Sequence, residues 1–244
     1  MTAIYNPYLV VLSAMIAVLA SYTALELAGR VTSSQGFTRK LWLMGGAIAM
    51  GTGIWSMHFI AMLAFSIPVF ISYNLLIVLI SLIAAILASR RALLIISRPQ
   101  CSEATLLGGS TSMGIGIAIM HYTGMAAMQM PATVRYRPGL FLLSVVIAVA
   151  VSFVALKLSI RFRKRTGLQG SKIATATIMG GAVLSMHYTG MTAAMFKPDL
   201  TKLVKAAGLD NLSLAYIVCL FTILIISMTL ATMYINSDHG SLQR

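Results

Sequence analysis

Three of the four histidines stand inside apolar segments, and each is followed four residues later by a methionine: His58 by Met62, His121 by Met125 and His187 by Met191. On a helix, residues i and i+4 share a face, so each segment would present one imidazole and one thioether together. Neutral imidazole is a common transition-metal ligand, and thioether sulfur is soft and selects Cu(I) over cations that prefer carboxylates. Copper is the metal this donor set favours. Met57, Met120 and Met186, one residue before each histidine, project about 100° away and rank second as ligands. Tyr122 and Tyr188 follow two of the histidines and could hydrogen-bond a bound ligand or redox partner. Phe59 fills that position in the first segment, so packing near the interface is the competing role. A single His–Met pair in a membrane helix is ordinarily packing or a helix-to-helix hydrogen bond. Three pairs in register favour a metal site. His239, in the polar tail, reads as ordinary surface.

The segments carrying these residues are copies of one another. Residues 50–62 read MGTGIWSMHFIAM, 113–125 read MGIGIAIMHYTGM and 179–191 read MGGAVLSMHYTGM, sharing M-G-x-[GA]-[IV]-x-x-M-H-x-x-x-M. The histidines are 63 and 66 residues apart, and Pro68, Pro131 and Pro198 follow them by 10, 10 and 11 residues, where each proline is expected to end its helix. The repeating unit is a helical hairpin present three times, with a seventh helix left over. Gly51, Gly114 and Gly180 lie seven residues before each histidine, almost two turns, and are expected on the histidine face, where a small residue lets helices approach closely. That face is therefore expected to be an interior seam.

The rest of the chain says what must hold these residues. Of 244 residues, 59% are hydrophobic and 9% charged, with a mean hydropathy of +0.90, far outside the range of soluble domains. A helix needs about 20 residues to cross the hydrocarbon layer, and seven runs qualify: 8–28, 41–65, 69–89, 104–130, 140–160, 173–196 and 212–235. The expected fold is all-α, a polytopic bundle of seven transmembrane helices built from three repeated hairpins, as one membrane-embedded domain over residues 1–244. The first run lacks a basic n-region and a cleavage pattern and reads as a retained helix.

The net charge of +13 comes from basic residues clustered between apolar runs, which argues for topology and against nucleic acid. Arg30, Arg39, Lys40, Arg90, Arg91, Arg98, Lys157, Arg161, Arg163, Lys164, Arg165, Lys172 and Arg244 fall on one side, against Arg135, Arg137, Lys197, Lys202 and Lys205 on the other. The positive-inside rule then puts the N-terminus outside and the C-terminus in the cytoplasm of a multi-pass plasma-membrane protein, with the histidines toward the outer face. The basic run 161–165 fixes topology and would contact anionic lipid. Glu26, at the cytoplasmic end of the first span, is expected to pair with Arg30 or snorkel. Cys101 and Cys219 share no metal-binding spacing and are expected to form no disulfide. No Ser/His/Asp or paired-carboxylate set supports hydrolytic chemistry, so the chain is not expected to be an enzyme. The short tail after the seventh span suggests that any output belongs to a separate cytoplasmic partner.

With two copies of MHYTGM and a degenerate MHFIAM, each preceded by Met-Gly, the sequence resembles the bacterial MHYT family of integral membrane sensor domains over nearly its whole length. The resemblance implies a sensor that binds copper near the outer face through Met57, His58, Met120, His121, Tyr122, Met186, His187 and Tyr188, and that responds to a diatomic gas such as oxygen, carbon monoxide or nitric oxide. Phe59 and Ile60 depart from the motif's Tyr-Thr. Fused cyclic-di-GMP or histidine-kinase output domains are common in such a family. A small copper or solute transporter and a haem protein with histidine axial ligands are the competing readings.

Overall fold

The computed structural model describes residues 4–98, 100–162, 169–199 and 208–241. It is all-α, with seven helices: α1 (Pro7–Ser33), α2 (Gly36–Ala64), α3 (Leu75–Ile96), α4 (Glu103–Ala126), α5 (Pro138–Phe162), α6 (Gln169–Ala193) and α7 (Asn211–Ser241). Short strands lie at their ends: β1 (Ile4–Tyr5), β2 (Phe65–Ser66), β3 (Ser72–Tyr73), β4 (Met128–Gln129), β5 (Ala132–Tyr136), β6 (Ala194–Pro198) and β7 (Leu209–Asp210). Among the described residues, α1, α2, α3 and most of α5 are long and apolar enough to cross a membrane, and α7 is apolar over Asn211–Leu224. Glycine, serine and threonine dilute the hydropathy of α4 and α6, small residues that let helices approach closely, while Leu107, Ile115 and Ile119 of α4 and Ile173 and Ile178 of α6 stay exposed on their outer faces. Arg163, Lys164, Arg165, Lys202, Lys205, Arg244 and the side chain of His239 lie outside what is described.

The helix starts are chemically marked. The Asn6 side chain accepts from the backbone N–H groups of Tyr8 and Leu9, with Pro7 in the first turn of α1, and Asn74 accepts from Ile77 at the start of α3. Both satisfy donors that a helix N-terminus leaves open.

The helix ends depart from expectation. The even helices stop at Ala64, Ala126 and Ala193, four or five residues short of their prolines, and α3 begins at Leu75 rather than residue 69. The chain leaves the helix early because it finds sheet partners. β1 pairs with β2, β3 with β4 and β5 with β6, all antiparallel. Beside each pair a further backbone bond closes the hairpin: Asn6 N–H to Ala64 C=O, Asn74 N–H to Ala127 C=O and Arg137 N–H to Ala193 C=O. Each hairpin is thus clasped at one end by its own flanking strands, which satisfy backbone groups the helix termini would leave open. β7 adds to the free side of β3.

Within hairpins α1 packs on α2, α3 on α4 and α5 on α6; between them α2 packs on α3, α4 on α5 and α6 on α1. Six helices therefore close into a ring with threefold pseudosymmetry. α7 stands outside it against α2, where Thr222 Oγ1 donates to Ser56 Oγ at 2.6 Å.

Gly51, Gly114 and Gly180 serve ring closure, not the central seam expected of them. A Cβ on Gly114 would sit 2.6 Å from the Val149 backbone in α5, one on Gly51 2.6 Å from the Ile86 backbone in α3, and one on Gly180 2.8 Å from the Val18 backbone in α1. Each glycine lets an even helix touch the odd helix of the next hairpin backbone to backbone. Glu26 has a partner on another helix as well as a basic neighbour on its own: its carboxylate accepts from Lys172 Nζ of α6 at 2.5 Å. Arg30 lies over the Trp42 ring, 5.0 Å from its centroid.

Candidate metal centre

Ring closure brings α2, α4 and α6 together at one level, and there the three histidines meet. All are fully buried. His58 Nδ1 lies 3.1 Å from His187 Nδ1 and 3.1 Å from His121 Nδ1. The ring centroids form a nearly equilateral triangle with sides of 4.9, 5.0 and 5.1 Å, the planes inclined by 75° to 89° like propeller blades. Three donors contributed by residues 63 and 66 positions apart thus form one shared group.

The protein alone leaves this group poorly satisfied. Both short contacts use the same His58 nitrogen, which can serve only as one donor or one acceptor. Nε2 of all three rings is buried without a hydrogen-bond partner among the described residues. A buried polar atom without a partner costs about 1–3 kcal/mol. Converging Nδ1 lone pairs are the arrangement a cation requires, and an ion bound there would relieve the competing Nδ1 contacts while leaving each Nε2–H as it is. Imidazole nitrogens bind first-row metals at about 2.0–2.1 Å, which in tetrahedral geometry separates two nitrogens by about 3.3–3.4 Å, and the observed 3.1 Å is short of that by a few tenths of an ångström. The three buried histidines can therefore hold a metal ion.

The seat of the triangle is set by the residue three after each histidine. A Cβ on Gly124 would collide with His58 Nε2, and one on Gly190 with His121 Nε2; the first repeat has Ala61 at this position. Gly124→Ala is accordingly expected to tilt His58 out of the triangle and weaken metal binding roughly 10–100-fold, the scale of lost support around a ligand. Competition against a Cu(I) chelator measures this. Ala61→Gly should leave affinity unchanged.

Met62, Met125 and Met191 are buried one turn beyond the histidines, and Met57, Met120 and Met186 are buried beside them. The tyrosines turn outward to neighbouring elements. The Tyr122 hydroxyl bonds Ser144 Oγ of α5 at 2.6 Å, and its ring stands 5.2 Å from Tyr136. Tyr188 stands 5.9 Å from Tyr5, and Phe59 6.2 Å from Tyr73, so each residue after a motif histidine meets the strand tyrosine that leads into a following helix. Burial, reinforced by Tyr122, pushes the Tyr136 phenol up to about 12, and burial also raises that of Tyr5. Both remain neutral packing partners.

Sequence reasoning passed over one element near the site. Met50, Met113 and Met179 open the three repeat copies eight residues before the histidines, and all three line one small cavity between the helices. Their identity across the copies was the available signal.

A closed ring of six helices, four of them long and apolar enough to cross a membrane, around three buried histidines that could hold a metal ion defines a helical protein of membrane character with a candidate metal centre. The chain belongs to the MHYT family, the bacterial signalling protein N-terminal repeat, whose model matches residues 1–39, 51–109 and 114–170. It is 43% identical over 236 residues to the bifunctional diguanylate cyclase/cyclic di-GMP phosphodiesterase MucR of Pseudomonas aeruginosa, covering 96% of this chain and 34% of that protein. It is 41% identical over 216 residues to the cyclic di-GMP phosphodiesterase NbdA of the same organism (87% and 28%) and 40% identical over 199 residues to the signaling protein YkoW of Bacillus subtilis (80% and 25%). The chain thus spans about a third or less of these relatives' length. No solved structure matches it.

Proposed function

We propose that this chain is the sensing part of a membrane signalling system, holding copper in the His58–His121–His187 triangle and responding there to a diatomic gas or a change of redox state. The observation that carries this reading is the convergence of three fully buried imidazoles through Nδ1. Buried methionines around them favour copper over harder metals. In this reading all seven helices cross the plasma membrane with the N-terminus outside, so the basic connections face the cytoplasm.

Each ligand sits on a different even helix, and each even helix is in backbone contact with the next hairpin through Gly51, Gly114 or Gly180. A change in ligand geometry at the centre would then shift all three hairpins together, a population shift between two packings of the ring. The output belongs to a cytoplasmic partner or domain; the cyclic-di-GMP enzymes among the relatives support turnover of that nucleotide as its chemistry. Haem is disfavoured, because imidazoles 3.1 Å apart admit no macrocycle between them without parting the helices.

Elemental analysis of detergent-purified protein from copper-replete cells tests the metal, with one copper per chain or more expected. Difference spectra of the loaded protein with oxygen, carbon monoxide and nitric oxide test the signal. A folded parent that takes up no copper sinks the metal reading. A copper form indifferent to all three gases and to redox potential sinks the sensing reading, and copper flux in proteoliposomes would replace it with transport.

A further inference from the structure

The axis of the ring holds a second set of soft donors that the histidine centre does not use. Met50, Met113 and Met179 are only 5, 3 and 5% exposed, and they line a single cavity of about 20 Å³ together with Ile54, Ile117 and Val183. These aliphatic residues lie four positions before the histidines and the methionines four before that. Along the ring the layers therefore run from histidine through branched aliphatic to methionine, each contributed once by every repeat.

A volume of that size holds one water-sized sphere. Ser21 and Ser152 supply the cavity's hydroxyls. Ser21 donates to the Ala17 carbonyl, whereas Ser152 Oγ is fully buried and has no hydrogen-bond partner among the described residues. Water in such a place needs two to four polar partners, and thioether sulfur is only a weak acceptor. A hard divalent cation needs carboxylates or carbonyls, and no charged side chain lines the cavity. A soft monovalent cation is the species that three thioethers and one uncommitted hydroxyl suit. We propose that the Met50, Met113 and Met179 ring is a second site, for Cu(I), distinct from the histidine triangle and two helical turns along the axis from it. The assignment of metal follows from thioether chemistry, so this site stands or falls separately from the histidine centre.

The test loads the full chain in detergent with excess Cu(I) under anaerobic conditions, then combines copper counting after desalting with X-ray absorption at the copper edge. The parent is expected to retain two coppers with mixed nitrogen and sulfur neighbours. The variant Met50→Leu, Met113→Leu, Met179→Leu, which nearly conserves volume, should lose one copper and keep the nitrogen-rich signal. The variant His58→Leu, His121→Leu, His187→Leu should keep one copper with sulfur neighbours. If the methionine variant does not fold, Met113→Leu alone should lower the sulfur signal that remains in the histidine variant. A methionine variant with undiminished copper overturns the proposal. So does a histidine variant that retains none, and in that case a single copper surviving in the methionine variant leaves the triangle standing. No copper in the parent overturns both sites.

Discussion

The triple variant His58→Leu, His121→Leu, His187→Leu is expected to lose the nitrogen-bound copper and yet to melt at a higher temperature than the metal-free parent. The three imidazoles are wholly buried, their Nε2 atoms have no partners among the described residues, and their two short contacts compete for one His58 nitrogen. Unsatisfied buried polar atoms cost about 1–3 kcal/mol each, whereas replacing a whole polar group by apolar side chains of similar shape can be neutral or stabilising. The single variant His58→Leu should behave in the opposite sense. It strips His121 and His187 of the ring nitrogen both contact, so it should destabilise the protein and weaken metal binding by more than about 100-fold, beyond the scale for lost supporting residues. Thermal unfolding of metal-free samples, paired with chelator competition, reads both effects. A triple variant that melts well below the parent would mean that the histidines are held together for packing.

Much of this is legible in the sequence because a threefold repeat is a strong constraint. Near-equal repeat lengths of 63 and 66 residues put the histidines at one level on three helices, and the i+4 methionines share their flank. Spacing alone does not say whether three histidines make one site or three, since that depends on how the even helices pack. Ring closure answers it: α6 returns to α1, which brings His187 to His58 across 129 residues. The strand clasps are invisible for a different reason. Segments such as Ile4–Tyr5 and Phe65–Ser66 are too short to carry an alternation pattern, and the nearby prolines offer a competing explanation for the helix ends. Met50, Met113 and Met179 stand in plain sight as the first letter of the repeat. Helical spacing ranks the i, i+4 neighbours of the histidines ahead of them, and only the closed ring shows that a residue eight positions away faces the same axis. Glu26 has a local Arg30 within reach along its own helix, while Lys172 meets it only through the packing of α6 on α1.

The second large effect concerns the ring itself. Gly114→Leu is expected to prevent the bundle from closing, because its Cβ alone would fall 2.6 Å from the N and Cα of Val149 and backbone cannot rotate aside as a side chain can. Overpacking ordinarily costs about 1–3 kcal/mol, and a clash with backbone belongs at or above the top of that range, a large share of the roughly 5–15 kcal/mol that holds a typical domain together. Gly108 lies on the same helix, and a Cβ added there would meet nothing within 4 Å, so Gly108→Ala should be neutral or stabilising by up to about 1 kcal/mol, the propensity difference between the two residues. Yield of monodisperse protein on size exclusion, compared across the two variants, measures the contrast. If Gly114→Leu folds as well as Gly108→Ala, the backbone contact between α4 and α5 is not what joins one hairpin to the next. The ring would then lack the coupling through which a change at the histidines could reach the odd helices. If it fails while Gly108→Ala succeeds, the glycines that close the ring are also the points at which a shift of α2, α4 or α6 must be felt by the next hairpin.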